Sequence, residues 1–126
     1  VTDPAIIKAF TAGPGGVRQF RLVQPGASDG LAIESTAVAN FIFGVSCQPG
    51  TALEGQRADI VLAGIADVEA GGTIARGALV TTDAQGRAVT AAPAAGVNNR
   101  ILGIALVGAA SGDIFQVLLA QGSVQG

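Results

Sequence analysis

The chain has 126 residues, of which 49% are hydrophobic and only 13% charged, with 19 glycines, no His, Trp, Tyr or Met, and a single cysteine. A chain of this length fits one domain. With no His and only Cys47, one chain cannot build a zinc site, a Ser/His/Asp triad, a Cys/His nucleophile pair or an internal disulfide, so neither a metal nor a cofactor is expected.

The apolar share does not make a membrane span, which needs roughly 20 consecutive apolar residues. Ser35 to Leu53 carries no charge but is cut by Gln48-Pro49-Gly50, and Arg100 and Asp113 interrupt the later runs. No basic start, apolar centre and small-residue cleavage site occur in sequence, so synthesis in a cytoplasm without a secretory signal is expected. A net charge of 7 − 9 = −2 gives no basic footprint for nucleic acid. Charge is uneven, however: Val1 to Gln24 holds Lys8, Arg18 and Arg21 against Asp3. That segment reads either as a basic arm for an acidic partner or as ordinary solubilising charge.

In chain order, the opening carries Ile6, Ile7 and Phe10 and runs into Thr11-Ala12-Gly13-Pro14-Gly15-Gly16, the composition of a hinge. A flexible N-terminal arm over residues 1–16 is expected, followed by a single β-rich domain over 17–126. Gly, Pro and Asn/Asp then recur too often for ordinary helices, and the apolar runs between them predict strands at 20–23, 41–45, 59–62, 79–82, 88–90, 101–106 and 114–119. Only short helical turns fit elsewhere, one capped by Ser35 over 35–40 and one in the Ala-rich 91–95 broken by Pro93. The fold class is therefore all-β, a compact barrel-like or sandwich-like body with an extended N-terminal arm. Asp83-Ala84-Gln85-Gly86 has Asp first and Gly fourth, as a type I turn prefers, and predicts a hairpin between 79–82 and 87–90.

Phe41-Ile42-Phe43-Gly44-Val45-Ser46 is echoed by Arg100-Ile101-Leu102-Gly103-Ile104-Ala105, and Asp59-Ile60-Val61-Leu62-Ala63 by Gln116-Val117-Leu118-Leu119-Ala120. The spacing falls from 59 residues (41 to 100) to 57 (59 to 116), as two copied hairpins with a two-residue difference in the turn would show. Chance likeness among strings of Val, Ile, Leu and Gly is the competing explanation.

Candidate chemistry is sparse. Asp67 and Glu69 alternate along a strand and could act as paired carboxylates of a hydrolase, although acids beside Ala70-Gly71-Gly72 are more simply solvated turn residues. Gly13-Pro14-Gly15-Gly16 lacks the Gly-Lys-Ser/Thr ending of a phosphate loop. Cys47 has no neighbouring cation to lower its pKa. Phe41 and Phe43 alternate as residues of one core face do. With so few charges, a monomer would expose considerable apolar surface, and a homo-oligomer is the simplest remedy.

The order and spacing of several segments resemble the capsid decoration, or cement, proteins of tailed bacteriophages. They are Arg18-Gln19-Phe20-Arg21-Leu22-Val23, Gly44-Val45-Ser46, the string from Asp59 to Gly72, Gly77-Ala78-Leu79-Val80, Asp83 to Val89, Asn98 to Leu106 and Gly112-Asp113-Ile114. The resemblance covers nearly the whole chain after Val17. It implies a non-enzymatic virion protein, a trimer, seated on the outer surface of an expanded capsid near its threefold positions, with the major capsid protein as partner. The head decoration protein of phage lambda is the analogue in role. The resemblance also implies an N-terminal arm that adds to capsid strands, here Ile6, Ile7, Lys8 and Phe10, with Arg18 and Arg21 beside it on the capsid-facing side. The first 16 residues match no family motif, so that assignment stands on their position and composition. A tail or baseplate component, or a host-surface adhesion module, is the leading alternative.

Overall fold

The structure, a computed structural model, describes residues 5–126. Among these there is no helix. Nine strands run in the order β1 (Ala5–Ala12), β2 (Leu22–Pro25), β3 (Leu31–Glu34), β4 (Gly44–Ser46), β5 (Arg57–Glu69), β6 (Leu79–Thr82), β7 (Ala88–Thr90), β8 (Asn98–Ala105) and β9 (Ile114–Gln125). The all-β expectation is met, and every expected strand is present, 79–82 and 88–90 with the expected ends and the others with shifted ones. Two strands, β1 and β3, were not expected. The 35–40 segment is a turn closed by the Asn40 N–H on the Ala37 carbonyl.

The strands are hydrogen-bonded in the order β1-β3-β2-β4-β5-β9-β8-β6-β7. Because β1 also pairs antiparallel with β5 from Ala5↔Gly64 to Thr11↔Arg57, the first five strands close on themselves as a barrel. The far end closes as well: Ala70, just after β5, bridges in parallel to Ala88 on β7, and the Gly71 N–H donates to the Ala88 carbonyl at 2.7 Å. The chain is thus two small barrels sharing β5. The first half of β5 completes the N-terminal barrel, and its second half begins the C-terminal one.

The two barrels repeat each other pair by pair. Ile7↔Val61, Phe10↔Ala58 and Thr11↔Arg57 in the first correspond to Ile65↔Leu118, Val68↔Phe115 and Glu69↔Ile114 in the second. Val45↔Val61 corresponds to Ile104↔Leu118, Leu22↔Val45 to Leu79↔Ile104, and Val23↔Glu34 to Val80↔Thr90. Even isolated bridges recur, Val17↔Ala52 as Ile74↔Ala109. The hairpin echo seen in the sequence is therefore one part of a duplication that spans the chain.

Interiors follow the same plan. Ala12, Val17, Val23, Ala32, Ala52, Ala58 and Ile60 fill the N-terminal barrel. Their counterparts Ala70, Ile74, Val80, Ala88, Phe115 and Val117 are buried in the C-terminal one, with Ala109 packed against them. Alanines on inward positions let strands close around so narrow a core. Leu22, Ile42, Val45 and Val61 belong to the second core although Leu22, Val45 and Val61 stand on strands of the first barrel and Ile42 just before β4. They point outward from their own barrel and plug the near end of the next. Burying each contributes about 1.5 to 3 kcal/mol. Arg21 locks the junction from beside Leu22, donating to the Gln85 carbonyl at 3.0 Å and to Glu69 at 3.1 Å.

The predicted hairpin is present as β6 and β7, paired Val80↔Thr90 and Thr82↔Ala88. Asp83 Oδ1 accepts from the N–H groups of Gln85 and Arg87, and Gly86 adopts φ +75° at the fourth turn position. Gly44 and Gly103 are equivalent for a different reason. A Cβ on either would collide with the partner strand's backbone, at the carbonyl of Val61 or of Leu118. Gly44→Ala and Gly103→Ala should each lower stability by about 1 to 3 kcal/mol, whereas Gly72→Ala, which meets nothing within 4 Å, should leave it unchanged; thermal unfolding of the three variants checks this.

Candidate functional site

Ile6, Ile7, Lys8 and Phe10 all lie on β1, so the segment expected as an arm is, from Ala5 on, a strand of the N-terminal barrel. Residues 1–4 fall outside the described part. Gly13-Pro14-Gly15-Gly16 forms a tight turn in which the Gly16 N–H reaches the Gly13 carbonyl. β1 is bonded to β5 along its length, while β3 reaches it only at Thr11 and Ala12. The stretch Ala5 to Phe10 therefore has a ladder on one side only. Ile6 and Ile7 are 63% and 52% exposed, with a register shift between them that turns both outward.

Phe10 and Lys8 belong to a second feature, the open end of the N-terminal barrel. There a concavity of about 600 Å³ is bounded by Lys8, Phe10, Leu31, Phe41, Phe43, Leu62 and the β2–β3 turn. Phe10 and Phe43 pack in a tilted contact with ring centres 5.0 Å apart, Phe41 adds a third ring 6.0 Å from Phe43, and the Lys8 ammonium lies 5.5 Å above Phe10. Phe41 is half exposed, so this pair lines a mouth and is not the closed core face expected from its alternation. Opposite, the Gln121 side-chain amide donates to the carbonyls of Leu62 and Phe43, and the Arg100 guanidinium sits 5.8 Å from the Phe41 ring.

The structure separates the two arginines. Arg18 is on the surface, and Glu34 receives its Nε at 2.9 Å, its Nη2 at 2.8 Å and its backbone N–H at 2.8 Å. Arg21 is buried in the junction between the barrels. Its partner there is Glu69, one of the two candidate carboxylates. Asp67 instead lines a groove of about 350 Å³ with Ile7, Phe20, Cys47 and Ile65. Cys47 is half-buried, and burial together with the charge of Asp59 pushes its thiol above the usual range, which keeps it protonated near neutrality.

The geometry comprises two fused barrels, a one-sided strand with exposed isoleucines and an apolar mouth. Its fold is shared with the solved structure entitled "The crystal structure of head fiber gp8.5 N base in bacteriophage phi29", at a TM-score of 0.70 over 98% of this chain and 100% of that one, with 16% identity. No curated protein sequence matches the chain. The phage cement protein family model matches residues 3–121, and the chain belongs to that family. It is accordingly a structural protein of a phage virion.

Burial raises the Glu34 carboxyl, but the hydrogen bonds and charge of Arg18 outweigh it and hold Glu34 below its ordinary value. A depressed carboxylate stabilises the fold above its unfolded pKa, about 4.3, and loses that contribution as pH falls through the lower folded value. Arg18→Ala should therefore destabilise the protein by about 0.5 to 1 kcal/mol at pH 7, the pair being partly screened by solvent. The difference from the parent should begin to shrink as pH falls below about 4.3 and disappear only once pH is under the lower folded value; chemical denaturation as a function of pH is the check.

Proposed function

We propose that the protein binds the outer surface of an expanded phage capsid as an oligomer, a trimer near the threefold positions, and reinforces the shell by bridging neighbouring capsomers. Membership of the cement family carries this reading. The likeness to a head-fibre base favours the head over a tail or baseplate location.

The contact with the major capsid protein is assigned to β1. A strand with an open edge accepts another strand by β-augmentation, main-chain bonds supplying affinity and side chains specificity. Ala5 to Phe10 offers such an edge, and Ile6 and Ile7 flank it with apolar surface. Lys8 adds positive charge on the strand itself and Arg18 stands at the surface in its pair with Glu34, while Arg21 contributes from inside by fixing the strand that follows. Many weak contacts repeated over a lattice that exists only after expansion shift the equilibrium toward the intact shell by mass action.

Removing β1 would open the N-terminal barrel, so substitution at its exposed side chains is the sounder test. In electron micrographs of expanded heads incubated with purified protein, we expect density at threefold sites, absent from precursor shells. Ile6→Asp with Ile7→Asp should reduce occupancy at least about tenfold, a loss of about 1.4 kcal/mol, while the unfolding temperature stays within a few degrees of the parent. Unchanged occupancy removes β1 from the contact, and bare heads with the parent protein reject the cement reading.

A further inference from the structure

The duplication places an interface inside the chain that has an unfilled counterpart at each end. Within one molecule, Leu22, Ile42, Val45 and Val61 of the N-terminal barrel close the near end of the C-terminal barrel, where Ala66, Val68, Leu102 and Leu119 lie buried. By strand register, the residues equivalent to Ala66, Val68, Leu102 and Leu119 are Lys8, Phe10, Phe43 and Leu62. These line the open mouth of the N-terminal barrel. The residues equivalent to Leu22, Ile42, Val45 and Val61 are Leu79, Ile101, Ile104 and Leu118, aliphatic at every position. The internal set is 0–4% exposed, whereas Leu79, Ile101 and Ile104 are half-buried and Leu118 is 41% exposed.

We infer that the mouth of the N-terminal barrel receives the Leu79, Ile101, Ile104 and Leu118 face of a second copy of this chain, in the geometry of the internal junction. The internal junction supplies the argument for this occupant. Leu22 approaches the β6–β7 turn closely enough for its N–H to donate to the Gly86 carbonyl at 2.8 Å. The corresponding turn of the N-terminal barrel, between β2 and β3, bounds the mouth, and Gly30 there has φ +83° against +75° for Gly86. Both turns therefore carry a left-handed glycine at the equivalent place. Phe41 and Arg100 are also equivalent positions that already meet across the internal junction, so the docked copies would set Arg100 of one against Phe41 of the next.

The contact joins two different patches and is therefore heterologous. Such an interface closes into a ring when its rotation permits and otherwise extends. Three copies in a ring would form a cycle of six barrels. The inference rests on the self-association in the proposed function and assigns its surfaces. Its test uses free protein without capsids, so its failure and a failure of capsid binding are told apart.

Leu118→Asp spoils the face, and Leu31→Asp spoils the mouth; Ala27→Trp on the exposed β2–β3 turn is a second mouth variant should Leu31→Asp not fold. In sedimentation velocity the parent should associate, and each variant alone should run as a folded monomer with association weakened at least about a hundredfold. An equimolar mixture of a face variant and a mouth variant should yield a dimer with one of each, because one good mouth and one good face remain. A monomeric parent, variants that associate like the parent, or a mixture that stays monomeric would each overturn the inference.

Discussion

The constraint on which the rest of the molecule depends is that β5 serves two barrels. Thirteen residues long, it presents Ala58 and Ile60 to the first core and Ala66 and Val68 to the second, with Ala70 just beyond its end. All five are at even positions, so the same strand face must be handed from one barrel to the other. Gly64, at φ +101°, sits between the two sets and supplies a backbone conformation that a side chain would oppose. Once the strand is shared, the barrels lie end to end. Leu22, Val45 and Val61 on the outer side of the first then have nowhere to go but into the second. Arg21 follows from the same arrangement, since a cation next to Leu22 is carried into the junction and needs Glu69 and the Gln85 carbonyl as partners.

Much of this was legible in the sequence where local chemistry decides it. The β6–β7 hairpin was marked by Asp83 and Gly86, whose roles are set within a few residues. The likeness of Phe41–Ser46 to Arg100–Ala105 was visible because both strands need a glycine where the partner backbone passes close. Asp59–Ala63 and Gln116–Ala120 echoed each other as well, and the rest of the duplication left no such trace. Ala5–Ala12 and the second half of β5 occupy equivalent places, yet one reads AIIKAFTA and the other is interrupted by Asp67 and Glu69. Their likeness lies in backbone pairing, which many sequences satisfy. Because β1 precedes a Gly-Pro-Gly-Gly turn and finds its partner some 50 residues away, composition pointed to an arm. Strand β3 was hidden between the polar turn at 26–30 and the uncharged stretch after Ser35.

The binding surfaces were legible only in part. Ile6 and Ile7 stand exposed on β1. The two arginines looked alike in sequence, and burial distinguishes them: Arg18 is held at the surface by Glu34, Arg21 within the molecule by Glu69. The aromatic mouth was missed because its members come from β1, β3, the segment leading into β4, and β5, and no local pattern relates Phe10 to Phe43. A signal did exist. Where the C-terminal barrel has Val68 and Leu102, the N-terminal barrel has Phe10 and Phe43, larger residues at equivalent positions of a mouth that the chain itself does not fill.

That substitution bears on why 49% of the residues can be hydrophobic in a chain whose described residues hold no helix long and apolar enough to cross a membrane. Repeat proteins bury a continuous core only where units stack, and their end units keep the unstacked faces. Natural arrays commonly blunt those ends with polar residues. Here the ends are apolar: aromatic at the first barrel and aliphatic at the second, each shaped like one side of the junction that joins them. Two is the smallest number of units that contains one complete junction and both of its halves. Part of the exposed apolar surface, Phe41 at one end and Leu118 at the other, lies where the fold repeats an interface it has already made once, and Ile6 and Ile7 add a separate share on β1.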